Sequence, residues 1–134
     1  MTKAIIKTLL SKLLNTPLII EEGTSGIWMY RKWSDGVAEC WGNTGQASRA
    51  ITNSYAGQYY QNIYQALPSG LFNSVLSVVS CRADIGASNG DLVGISLYNV
   101  NTAAIQGYIY TSRSVTLNAG FSFFVKGRWK NVGG

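Results

Sequence analysis

Histidine is absent from all 134 residues. That removes Ser-His-Asp and Cys-His nucleophile systems, histidine acid–base chemistry and the usual zinc sites together. Charge is also scarce: 13% of the chain is charged, about half the usual ~25%. The net charge of +5 is scattered over Lys3, Lys7 and Lys12, then Arg31 and Lys32, then Lys126, Arg128 and Lys130. Nucleic-acid binding calls for a denser basic run or a recognisable motif, so no nucleic-acid partner is expected. No apolar run approaches ~18 residues, so no transmembrane helix is expected. The N-terminus is basic and apolar, but Lys7 and Lys12 break its apolar core and no small-residue cleavage site follows, so no signal peptide is expected either. The two cysteines, Cys40 and Cys81, sit in strand-like runs; they read as free, buried thiols, with one disulfide as the alternative. Two lone cysteines without histidine make a poor metal site, and no cofactor is expected.

What is present is apolar and uncharged-polar. Hydrophobic residues make up 46%, enough for a packed core, and polarity comes from 15 glycines and 33 Ser, Thr and Asn residues. That balance suits a β-rich extracellular or virion surface better than a cytosolic enzyme. The length fits one ordinary domain.

Residues 2 to about 15 read as an amphipathic helix. Ile5, Ile6, Leu9, Leu10 and Leu13 form one stripe, and Pro17 forbids continuation much beyond Asn15. So short a helix is marginal alone. Its stripe must dock on its own domain, on copies of itself or on a membrane surface, and an oligomeric stem is the preferred reading.

Beyond Leu18 strand-like runs take over. Ile27–Trp33 and Val37–Trp41 flank Ser34-Asp35-Gly36, a hairpin signal. A two-residue Asp35-Gly36 loop predicts Lys32 opposite Glu39, Arg31 opposite Cys40 and Tyr30 opposite Trp41. That register puts apolar residues on both faces and calls for a cover over the second. Residues 43–57 read as loop with at most a short strand. Further strands are expected over Tyr59–Leu67, from Val75 to Arg82, and over Leu92–Asn99, Ile105–Thr111 and Phe121–Trp129, with Asp84–Asp91 as loop. Lys126, Arg128 and Lys130 alternate with Val125, Gly127 and Trp129 as a solvated strand face. Seven or so short strands with turns every 8–12 residues predict an antiparallel sandwich or small barrel.

As an enzyme the chain is poorly equipped. Its acids are Glu21, Glu22, Asp35, Glu39, Asp84 and Asp91. Asp84 and Asp91 are the only pair expected to approach each other for glycoside hydrolysis, and no Lys-Ser/Thr phosphate loop or Gly-x-Ser-x-Gly elbow occurs. The Asp84–Asp91 loop, with Asn89, offers oxygens to a hard cation, but its spacing is not that of an EF-hand and a plain turn is preferred. The densest cluster of aromatics with amide neighbours is Tyr55, Gln58, Tyr59, Tyr60, Gln61, Asn62, Tyr64 and Gln65. Such residues suit a sugar, whose C–H faces stack on rings while amides orient its hydroxyls; Tyr55, Gln58, Tyr59, Tyr60, Asn62 and Tyr64 are the expected receptor-binding residues.

Three segments carry a resemblance: Tyr30-Arg31-Lys32-Trp33-Ser34-Asp35-Gly36-Val37-Ala38-Glu39-Cys40-Trp41-Gly42, then Ala66-Leu67-Pro68-Ser69-Gly70-Leu71-Phe72, and Gly127-Arg128-Trp129-Lys130. Together they resemble the C-terminal head domains of bacteriophage and prophage tail-fibre, receptor-binding proteins, over residues 27 to 130. The resemblance implies an all-β chain, an antiparallel β-sandwich of jelly-roll or H-type-lectin-like kind, with the helix of residues 1–17 as oligomerisation stem and 18–134 as head. It implies a homotrimer in the virion tail, made in the host cytoplasm, that binds a host-cell-surface glycan or protein and catalyses nothing. Only a short helix stands where a shaft would be, which implies a free-standing or truncated head. Ile6, Leu9, Leu10, Leu13, Trp28, Tyr30, Trp33 and Trp41 are the expected interface between copies. A structural tail component without a ligand, or a bacterially retained lectin or adhesin of the same fold, are the alternatives.

Overall fold

The computed structural model describes residues 2–74, 76–86 and 91–130. One helix, α1 (Lys3–Leu14), precedes ten strands: β1 (Ile19–Ser25), β2 (Trp28–Trp33), β3 (Val37–Asn43), β4 (Ala47–Ile51), β5 (Asn53–Tyr55), β6 (Gln58–Ala66), β7 (Val78–Ile85), β8 (Val93–Val100), β9 (Ala104–Thr111) and β10 (Val115–Arg128). The chain is therefore all-β behind a short N-terminal helix, as expected. It falls into two compact units, Met1–Gly42 with Pro68–Ser80 and Phe124–Gly134, and Asn43–Leu67 with Cys81–Phe123.

In the first unit α1 begins on Thr2, whose hydroxyl accepts from Ile5 N–H, and ends on Asn15 in the left-handed conformation. The antiparallel order is β1-β2-β3, continued by the end of β10. The hairpin register differs from the expected one by a single residue: Lys32 pairs with Ala38, Arg31 with Glu39, Tyr30 with Cys40 and Met29 with Trp41. The turn explains the shift. Of its residues only Gly36 has positive φ (94°), and its N–H donates to Trp33 O at 3.1 Å, while Val37 N–H donates to Asp35 Oδ1. This is a three-residue loop with glycine in the last position, where a two-residue turn would need positive φ at Asp35 too. A one-residue slip exchanges the faces of β3. Trp28, Ala38 and Cys40 now share the buried side. The other side is not a greasy surface awaiting a cover: Arg31 bridges Glu22 and Glu39 and lies 4.8 Å from the Trp41 ring, and Trp33 Nε1 donates to Glu39.

The C-terminal Gly-Arg-Trp-Lys seals that turn. Arg128 Nη2 donates to Asp35 O at 2.8 Å, Trp129 N–H to Gly36 O and Trp129 Nε1 to Trp33 O at 2.7 Å. The expected alternation holds where Val125 and Gly127 are buried around exposed Lys126. Leu71 and Phe72 of the Leu-Pro-x-x-x-Phe segment are buried as well.

The second unit is a two-layer sandwich. One layer pairs β4 with the first half of β10, and the other is the antiparallel sheet β5-β6-β9-β8. Ile51, Leu117, Ala119, Phe121 and Phe123 from one layer and Ile63, Ile105 and Ile109 from the other are buried, with β4 against β6 and β9. Residues 43–57, expected to be mostly loop, carry β4 and β5. Their Ser, Thr and Asn side chains hide the strand signal because only Ile51 is buried. Asp84 and Ile85 end β7 rather than open a loop. Val75 and residues 87–90, Asn89 among them, lie outside the described residues.

Neither cysteine is bridged. Cys40 is fully buried, which pushes its thiol up to about 12; Cys81 is only half-buried, not buried as expected, and its thiol is pushed up to about 11 by the same desolvation.

Candidate functional site

The sheet β5-β6-β9-β8 turns one side to the core of its unit and the other outward, and strict alternation decides which residues go where. Its pairings place Tyr60 opposite Tyr110, Asn62 opposite Tyr108 and Tyr64 opposite Gln106. On the far side of β9, Tyr108 faces Ser96 and Gln106 faces Asn99, with an irregularity between Leu97 and Asn99 at Tyr98. Directly paired residues share a face, so Tyr60, Tyr64, Tyr108 and Tyr110 stand on the outer side with Asn62, Gln106 and Asn99 among them. Tyr98 joins them: its ring stacks on Tyr108 at 4.7 Å between centroids, and Tyr60 meets Tyr108 edge-on at 5.0 Å. Three adjacent strands thus carry a continuous row of rings. Asn99 Nδ2 donates to Gln106 Oε1 at 2.8 Å, which fixes the amide beside that row.

Toward one end the face hollows into an open depression of about 600 Å³ lined by Tyr55, Ala56, Gln58, Tyr59, Tyr60, Tyr108 and Tyr110. That volume lies within the range of small-molecule sites. Its rim is the β5–β6 turn, in which Tyr55 pairs with Gln58 and both Ala56 (φ 52°) and Gly57 (φ 80°) are left-handed. A two-residue turn of this type favours Asn or Gly at the first position, and alanine there costs about 1 kcal/mol. Tyr55 stands beside this turn, 77% exposed. Tyr110, which lines the depression, lies over Gly94: a Cβ on that glycine would sit 2.4 Å from the ring's Cζ.

Of the receptor-binding residues expected from sequence, Tyr55, Gln58, Tyr59 and Tyr60 meet in this depression. Asn62 and Tyr64 continue along the same strand beside a second, smaller hollow with Arg49 and Gln65. Sequence reasoning missed Tyr98, Tyr108, Tyr110, Asn99 and Gln106. The alternation of Tyr108 and Tyr110 was legible, but their place beside Tyr60 depends on the β6–β9 pairing, which no local signal shows.

The residues expected between copies divide. Ile6, Leu9, Leu10 and Leu13 are exposed. Trp28 is 3% exposed inside its own unit and is a core residue, which corrects its assignment to an interface. Trp33, Trp41 and Tyr30 are half-buried. The Tyr30 ring lies over Gly23, and its phenol is pushed up by burial and by a hydrogen bond to Glu21.

The carboxylates offered to a cation are already occupied. Asp91 takes two hydrogen bonds from Arg113, and Asp84 accepts from Ser122 (3.0 Å), Asn43 (3.2 Å) and Arg82 (3.0 Å). No group of three metal-ligating side chains occurs among the described residues. The Ser122 hydrogen bond, with the Arg82 charge and Asn43 behind it, holds the Asp84 carboxyl below its usual range. A depressed native pKa adds stability above the unfolded value, near ~3.9, and loses it as pH falls through the native one. Thermal melts of Asp84→Asn should therefore fall below the parent at pH 6 and converge with it under acid; a gap unchanged with pH would show that the carboxylate charge contributes nothing.

No family model matches the sequence, and no curated protein matches it. Among solved structures, the chain is similar to an N-truncated R1-type pyocin tail fibre, at 12% identity and a TM-score of 0.49, covering 88% of this chain and 93% of that one. No helix among the described residues is long and apolar enough to cross a membrane.

Proposed function

We propose that this chain is a non-enzymatic receptor-binding head of the bacteriophage tail-fibre kind, carried as a homotrimer on the virion tail, and that a host-surface glycan lies on its outer tyrosine face. The observation that carries the reading is the row Tyr60–Tyr108–Tyr98, set among amides on an uncovered sheet. Aromatic rings give large contact area at low entropy cost, and amides hydrogen-bond as donor and acceptor at once. The three segments that resemble tail-fibre heads support the class, and their roles are architectural: the Trp-Gly hairpin, its Arg128–Trp129 seal and the Leu71–Phe72 anchor build the first unit. Recognition is thereby left to the second.

The carboxylates support a binding role over a hydrolytic one. Glu21 is paired with Lys32, Glu22 and Glu39 with Arg31, Asp84 with Arg82 and Asp91 with Arg113, while Asp35 caps Val37 N–H. None lines the tyrosine depression.

The test is adsorption of the purified protein to a panel of bacterial cells, parent against Tyr60→Ala/Tyr108→Ala. Cell binding should fall at least about tenfold, since one lost ring contact of ~1.4 kcal/mol already suffices, while the circular dichroism of the β-fold is kept. Binding equal to the parent's by a folded variant would remove the site.

A further inference from the structure

We infer that the ligand of the tyrosine face is a neutral saccharide, without carboxylate, sulfate or phosphate groups; this rests on the reading above and adds the chemical class. The two stretches that build the sheet carry no charge at all. From Ala50 to Cys81 and from Leu92 to Ser112 there is no Asp, Glu, Lys or Arg, and the chain's 11 basic and 6 acidic residues all fall elsewhere. In a chain of net charge +5, all four strands that make this face, β5, β6, β8 and β9, fall within those two stretches.

The arginines bordering those stretches are already engaged. Arg113 is paired with Asp91 and Arg82 with Asp84; Arg49 donates to Ala119 O at 3.1 Å and lies 5.0 Å from the Phe121 ring. They are the only cations of the second unit, and none of them lines the depression of Tyr55, Tyr60, Tyr108 and Tyr110. An anionic polymer needs such a charge. Carboxylates and phosphates are held by bidentate Arg or by Lys, and one desolvated against phenol rings without a counter-ion is strongly disfavoured. A neutral sugar meets no such cost. Its C–H faces cover ring surface, and each hydroxyl, donor and acceptor together, is matched by Asn62, Gln58, Gln106 or a tyrosine hydroxyl. The row of rings crosses three strands, a span of ~10 Å, which calls for an oligosaccharide rather than a single sugar.

The experiment is a glycan array holding neutral bacterial oligosaccharides beside uronic-acid-containing, sialylated and phosphodiester-linked ones. It is probed with the full chain and with Tyr60→Ala/Tyr108→Ala, at about 0.05 M and about 0.5 M salt. The expected result is binding confined to neutral glycans, changed less than about twofold by salt and reduced at least about tenfold in the variant. Acidic glycans bound in a salt-sensitive way, and lost in the variant, would overturn neutrality while leaving the site standing. Glycans bound equally by parent and folded variant would overturn the site itself. No binding to any glycan, with cell adsorption intact, would overturn the saccharide class in favour of a protein receptor.

Discussion

Gly107→Ala should cost roughly 3 kcal/mol and lower the melting temperature by ~10 °C, although it adds a single methyl group. Gly107 lies on the core side of β9, between Ile63 and Leu97 on the flanking strands. A Cβ there would stand 2.4 Å from the backbone oxygen of Ser96, 2.9 Å from Leu97 Cδ2 and 3.0 Å from Leu97 Cα. Because the nearest obstacle is main chain, no rotamer change relieves it, and β8 has to move off β9. Gly94→Ala is the control. Its Cβ would also fall at 2.4 Å, but against the far end of the Tyr110 side chain, which can swing away. That variant should lose no more than about 1 kcal/mol, the cost of a displaced rotamer, and should weaken ligand binding because Tyr110 leaves the depression. Melts of the two variants within about 2 °C of each other would show that β8 and β9 are not so closely apposed.

The same close approach explains what could and could not be read from the chain. Strands with a clean alternation of buried and exposed residues, such as Tyr59–Leu67 and Ile105–Thr111, were legible to within about a residue. So was α1, whose stripe and terminal Pro17 bound it. Ala47–Ile51 and Asn53–Tyr55 were not, since a polar strand with one buried side chain leaves no periodic signal. The Asp35-Gly36 hairpin was legible as a hairpin but not in register. The sequence Ser-Asp-Gly serves either turn, and the choice depends on Arg128 Nη2 and Trp129 N–H, which reach the loop from the other end of the chain. For the site the division is similar. One strand's tyrosines stood out as a cluster, whereas the platform exists only when β9 and β8 bring Tyr108, Tyr110 and Tyr98 beside Tyr60. Tyr98 reaches that row at an irregularity in pairing, which strict alternation does not foretell.

Leu9→Lys/Leu13→Lys should convert the protein from about three times its 14.5 kDa chain mass to the single chain, with the β-sheet spectrum unchanged. What makes this stripe available is which side of α1 faces its own unit. Ala4, Lys7, Thr8 and Ser11 are the half-buried positions, spaced as one helical face, and Ser34 Oγ donates to Ser11 Oγ at 2.6 Å. The helix therefore turns its small and polar side to β1 and sends Ile5, Ile6, Leu9, Leu10 and Leu13 outward; Leu13 is 81% exposed. A helix of 12 residues gains little from its own hydrogen bonds, so this arrangement makes sense when the stripe meets a like stripe. Each Leu or Ile buried there contributes about 1.5–3 kcal/mol, ample for association at micromolar concentration once several copies combine. Lysines at Leu9 and Leu13 forfeit that burial and set like charges against one another, without touching the side that docks on β1. Light scattering checks the mass and circular dichroism the fold. An unaltered parent that scatters as 14.5 kDa throughout the micromolar range would leave the stripe without sister copies and remove the trimer.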